Sequence, residues 1–187
     1  MAFSHFLLSK GTGRNVLIAL GLLVACIGLF NVVFTPMYQS VAAGFVPFDL
    51  QFPLTREMII IQLGATSDGA LAAYTRFAVV DTFFPVIAAV FTILLWGWLV
   101  QKSDTRILVA AYERGWWIWA LFPAICDLSE NYFFLKILST YPEPALDAIE
   151  SVIPLHRGKL VFLSINQAAT VALIVVTVVM RLRRKAA

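Results

Sequence analysis

Four stretches of this sequence are each long and apolar enough to cross a bilayer, and no other feature restricts the fold as much. Crossing roughly 30 Å of hydrocarbon takes about 20 helical residues. The stretches run from about Asn15 to Phe34, Leu71 to Val100, Trp116 to Ile137 and Leu160 to Met180. Composition agrees: 60% of the residues are hydrophobic and 13% are charged, whereas a soluble domain has about a quarter charged. The expected fold is an all-α membrane protein, one domain over residues 1–187, built as a four-transmembrane-helix bundle. Short helices in the outer loops, residues 36–70 and 139–158, would cap its outer side. The first span exceeds a signal-peptide core, so it is expected to be a retained helix and not a cleaved signal.

Basic residues set the expected orientation. Lys10 and Arg14 precede the first span, Lys102, Arg106 and Arg114 separate the second from the third, and Arg181, Arg183, Arg184 and Lys185 follow the fourth. The positive-inside rule puts both termini and the middle loop in the cytoplasm. Trp96, Trp98, Trp116, Trp117 and Trp119 cluster at the same end of the second and third spans, as an interfacial belt would. The net charge of +3 therefore reads as a membrane-edge anchor, not as a nucleic-acid surface.

Both outer connections show helix signals. Thr55 can cap a helix to Leu63 with Gly64 as its stop. Pro144 suits a helix start and Pro154 a helix end, which bounds a short helix over Ala145 to Val152. His156, beside Arg157, reads as exposed loop. Cys26 and Cys126 lie inside apolar runs and read as buried, unreactive thiols. No set of spaced His, Cys and carboxylate ligands suggests a metal, and no motif calls for a cofactor.

The residues that a bilayer penalises carry the functional signal. Asp81 and Arg76 fall in the second span, Asp127, Glu130 and Asn131 in the third, Asn166 and Gln167 in the fourth. Counted from the outer ends, Asp81 and Asp127 both lie roughly 15 Å down, so the alternating spans put these side chains in one layer of the outer half. Asp127, Glu130 and Asn131 share a helix face at i, i+3 and i+4. Pro85 frees the carbonyl of Asp81 and Pro123 precedes Asp127 by one turn, so both acid-bearing helices should kink there. Arg76 is expected to reach Glu130. The candidate acids and bases are Asp81, Asp127 and Glu130, with Arg76, Tyr74, Asn131, Asn166 and Gln167 as ligand contacts.

Several of these residues sit in short motifs: Phe48 to Gln51 as Phe-Asp-Leu-Gln, Leu63-Gly64 closing a short helix, Asp81 in the second span, and Asp127 to Asn131 as Asp-x-x-Glu-Asn. In these the chain resembles a group of uncharacterised bacterial four-helix integral membrane proteins, over most of its length after the first span. The apolar run Met58 to Ile61 departs from the more polar helix of that group. The resemblance implies a bacterial inner membrane and no particular activity.

Three functions compete. The polar layer can be an acidic pocket that binds a lipid-like molecule, or acts on it by proton transfer, with Asp127 or Glu130 as acid and Asp81 as base. The chain can instead be an accessory or assembly subunit of a larger membrane complex, or a homo-oligomer, its polar residues serving as helix–helix bonds. The third reading is a proton or cation carrier. The expected partners are membrane lipids, with no nucleic acid.

Overall fold

A computed structural model describes residues 2–186; Met1 and Ala187, the very ends of the range read from sequence, lie outside it. The described residues form helices joined by turns and loops, with no strand. Three helical stretches are long and apolar enough to cross a membrane: Gly13–Val41, Asp68–Ser103 and Leu146–Lys185.

Helix α1, Ala2–Lys10, leads into Gly11 and Thr12. The Thr12 hydroxyl accepts from the backbone N–H of Asn15 and so starts α2, Gly13–Leu29. Gly11 is required where it stands: a Cβ there would come within 2.8 Å of the Gly97 and Trp98 backbone. A wide turn of π type, Phe30–Phe34, interrupts the first stretch before α3, Thr35–Val41.

Proline chemistry divides the second stretch. Helix α5, Asp68–Asp81, stops where Pro85 cannot donate to the Asp81 carbonyl, and α6, Phe84–Ser103, restarts with that proline in its first turn. Helix α4, Arg56–Gly64, precedes them, capped by the Thr55 hydroxyl on Met58 N–H. A short α7, Arg106–Glu113, is followed by Gly115, whose φ of 100° only glycine adopts without strain. The chain then makes 3-10 turns over Trp116–Leu121 and enters α8, Phe122–Ser139. Pro123 therefore opens α8 and does not kink it. Helix α8 carries Asp127, Glu130 and Lys136, and it is not among the three apolar stretches.

Pro154 does not end a helix, contrary to the sequence reading. Helix α9 runs unbroken from Leu146 to Ala186, with Pro154 inside it. Ala148, Ile149 and Val152 before the proline, and His156 after it, are all buried. Packing on both sides thus holds the turn from which Pro154 deletes one hydrogen bond. The separate short helix over Ala145 to Val152 is the first part of α9.

Two apolar clusters mark the ends of the bundle. At one end, here the cap end, Tyr38, Phe48, Ile59, Tyr74, Phe134 and Ile149 pack together. At the other, the tryptophan end, Trp96 stacks on Trp116 with ring centroids 5.1 Å apart, and Ser4 of α1 accepts from the Trp117 indole. Between the ends, α2 and α9 each pack along α6, while no comparable contact joins α2 to α9. The gap between them forms a groove with α6 as its floor.

Candidate functional site

The groove has a volume of about 810 Å³, inside the range of roughly 300–1,000 Å³ typical of ligand sites. Its walls are apolar along most of their length, from Leu23 and Ile27 of α2, through Phe84, Phe91 and Leu95 of α6, to Leu163 and Val171 of α9. Ile27 and Leu163 are both exposed, so the groove is open sideways. Its cap end is different: Asp49, Asp81, Asp127 and Lys159 line it together.

Helix α9 supplies the polar wall through a single stripe. His156, Lys159, Leu163, Asn166, Thr170, Leu173 and Thr177 alternate at spacings of three and four, which keeps them on one helix face. The Lys159 ammonium lies 3.0 Å from Asp127 Oδ1 and 2.6 Å from Glu130 Oε2. His156 Nδ1 lies 2.7 Å from Glu130 Oε1, and its Nε2 is buried without a partner. Further along, Asn166 lines the groove, Thr170 accepts from the Trp96 indole, and the Thr177 hydroxyl donates to the Leu99 carbonyl.

Helix α8 places its residues by the same arithmetic. Asp127, Glu130 and Asn131 share its buried face. Asn131 Nδ2 donates to Asp81 Oδ2 at 2.8 Å, tying α8 to the broken end of α5. Glu130 is fully buried behind the groove, whereas Asp127 and Asp81 face into it.

Asp49 arrives from the loop before α4. Phe48 is the plug that fixes this loop, with its ring against Tyr74 and Phe134 at 5.1 and 5.4 Å. Gln51 is the latch: its amide donates to the Val46 carbonyl and to Gln62. Gln62 in turn donates to the Tyr38 hydroxyl at 2.7 Å and to the Val46 carbonyl at 3.0 Å. Between plug and latch, Asp49 and Leu50 line the groove. Asp49 Oδ1 is buried with no hydrogen-bond partner. Burial, reinforced first by Asp81, pushes this carboxyl well above its ordinary range.

The structure thus brings together Asp81, Asp127, Glu130, Asn131 and Asn166. It does not bring in Arg76, which is exposed on the side of α5 opposite its buried row Tyr74, Phe77, Ala78 and Asp81. Equal depth in a span says nothing of helix face, and the cation that meets Glu130 is Lys159. Tyr74 is buried core, packed among Tyr38, Phe48, Phe77 and Phe134. Gln167 is exposed at the groove's rim. His156, read as exposed loop, is buried against Glu130. Asp49, His156 and Lys159 are the residues that sequence reasoning missed. For His156 and Lys159 the three-and-four spacing of α9 was the signal, hidden once a helix was ended at Pro154; Asp49, on a loop, had none. Cys26 and Cys126 are free and only half-buried.

Among the described residues, no group of three or more His, Cys, Asp or Glu side chains is arranged to hold a metal ion. No family model, no curated protein and no solved structure matches this chain.

Proposed function

We propose that this chain is a polytopic membrane protein that binds one lipid-like amphiphile in the groove between α2 and α9, with the polar head at the charged cluster and the apolar body along α6. In this reading α8 is the fourth span, its charges turned into the bundle, and the cap end faces outward. The observation that carries it is the polarity of the groove: charged at the cap end, and lined without any ionisable side chain, mostly by apolar ones, from Phe84 to Leu95 and from Leu163 to Val171.

Depth supports the same arrangement. Between Lys159 and Arg181, helix α9 rises roughly 33 Å, close to the thickness of a bilayer's hydrocarbon. No ionisable residue lies between these two positions. With Arg181 at one boundary, Lys159 and its carboxylates lie at the other, at the level of lipid head groups. The groove then descends beside the acyl chains. The same absence of ionisable residues argues against a proton or cation carrier, since a path from the cluster along α6 or α9 would have no titrating station.

Binding needs no chemistry, and the cluster suits recognition better than acid catalysis. Asp127 is already neutralised by Lys159, and Glu130 does not line the groove. The test is purification in mild detergent followed by mass spectrometry of copurifying lipids. A lipid should be retained by the native protein and lost in Ala88→Trp, which fills the groove floor. Equal lipid retention by both would refute the reading.

A further inference from the structure

Within that groove the charges do not balance, and the imbalance has a location. Four carboxylates, Asp49, Asp81, Asp127 and Glu130, influence one another at its cap end. Lys159 is committed to Asp127 and Glu130, and His156 to Glu130. Among the described residues, no ion pair reaches Asp49 or Asp81. Asn131 satisfies one oxygen of Asp81, and Asp49 Oδ1 is buried with nothing bonded to it. Both acids line the groove where its polar end meets its apolar length.

An anionic head would meet these carboxylates with a single, already paired ammonium to offset them. A neutral head would leave both acids without an opposite charge, and buried Asp49 would keep its proton; a cation gives the ionised carboxylates the partner they lack. A metal ion finds no set of three ligands arranged for it among the described residues. A positively charged organic group fits: it supplies the absent cation and, on an apolar chain, fills the rest of the groove.

We propose that the amphiphile's head is cationic, an ammonium group held between Asp49 and Asp81. The inference rests on the groove reading above and adds the chemical class of the ligand. Asp49 is the selective part of this site. It stands on a loop pinned by Phe48 and by the Gln51–Gln62 latch, which holds its carboxyl at the polar end of the groove. Asp81 is fixed from behind by Asn131.

The test uses the protein in nanodiscs of neutral-headed lipid, titrated with tetradecylammonium, whose head has N–H groups to donate, tetradecyl maltoside and tetradecyl phosphate, and followed by thermal stabilisation. A hydrogen bond to a charged group contributes about 1.5–3 kcal/mol, so the cationic chain should bind roughly 10- to 100-fold tighter than the other two. Asp49→Asn, which keeps the shape of the loop, should bring the cation down to the affinity of the neutral chain, as should Asp81→Asn. If Asp81→Asn does not fold, Asp49→Asn alone decides. Ala88→Trp should abolish the binding of all three. If the maltoside or phosphate chain binds as tightly as the ammonium and Ala88→Trp removes it, the groove stands and the cationic head is overturned. If the ammonium preference survives Asp49→Asn, the assignment of its site is overturned. If Ala88→Trp affects no probe, the groove reading falls, and this inference with it.

Discussion

Replacing Lys159 by methionine keeps most of the side chain's length and removes its charge. In the folded protein Lys159 contacts Asp127 at 3.0 Å and Glu130 at 2.6 Å, with side-chain exposures of 13%, 12% and 0% for the three. Removing one partner of a buried ion pair costs about 3–5 kcal/mol, because the remaining charge is left in a poor solvent. Here two carboxylates lose their shared cation, and only Glu130 keeps another partner, His156. The expected loss for Lys159→Met is therefore about 3–5 kcal/mol. Arg56→Met is the matched control, since its pair with Glu150 is 45% and 59% exposed and such a surface pair is worth about 0–1 kcal/mol. Reversible unfolding in mixed micelles of mild detergent and sodium dodecyl sulfate, followed by circular dichroism, measures both. Asp127→Asn added to Lys159→Met should restore more than about 1 kcal/mol, because it deletes the charge left without a partner. The reasoning fails if Lys159→Met costs no more than Arg56→Met, or if the second substitution adds to the damage.

Two further outcomes follow from the same geometry. Single cysteines at Asp104 and Glu150, both on exposed side chains, should react with an impermeant thiol reagent from opposite sides of sealed cells in a background lacking Cys26 and Cys126, with Glu150 outermost; labelling of only Asp104→Cys from outside would invert the proposed orientation. Asp49 is held well above its ordinary value of 3.8 by burial and then Asp81, with Glu130 and Asp127 adding and Lys159 opposing. The folded state therefore holds this proton more tightly than the unfolded state, and the stability it contributes is full below about pH 3.8 and falls as pH rises through the elevated value. Asp49→Asn should remove that fall, so its melting temperature should gain on the native protein's as pH rises; a constant difference between the two would refute the assignment.

Much of this architecture can be read from residue order, and the parts that cannot have identifiable reasons. Thr55 caps a helix because its hydroxyl reaches Met58 N–H, a local interaction visible in sequence. Pro85 divides α5 from α6 because a missing N–H is likewise local. Pro154 was misread because its effect depends on packing: buried neighbours on both sides carry α9 through it. That one residue hid the stripe from His156 to Thr177, and with it the cluster's own cation. Arg76 was misplaced because depth along a span was matched without the helix face. Asp49 was invisible as a groove residue, because a loop's path depends on distant anchors, here Phe48 on Phe134 and Gln51 on Gln62.

The sideways opening between α2 and α9 decides what the protein can sense. A site that faces bulk water responds to aqueous concentration. In the proposed function this groove, rimmed by exposed Ile27 and Leu163, exchanges with the acyl-chain region of the membrane, so its occupancy follows the mole fraction of ligand among the lipids. Two cells with equal total amounts of an amphiphile but different total membrane would load it differently. Detergent extraction likewise dilutes the ligand in proportion to micelle mass. The affinity of such a groove is thus a property of a two-dimensional solvent, and partition into that solvent comes before the proposed recognition by Asp49 and Asp81.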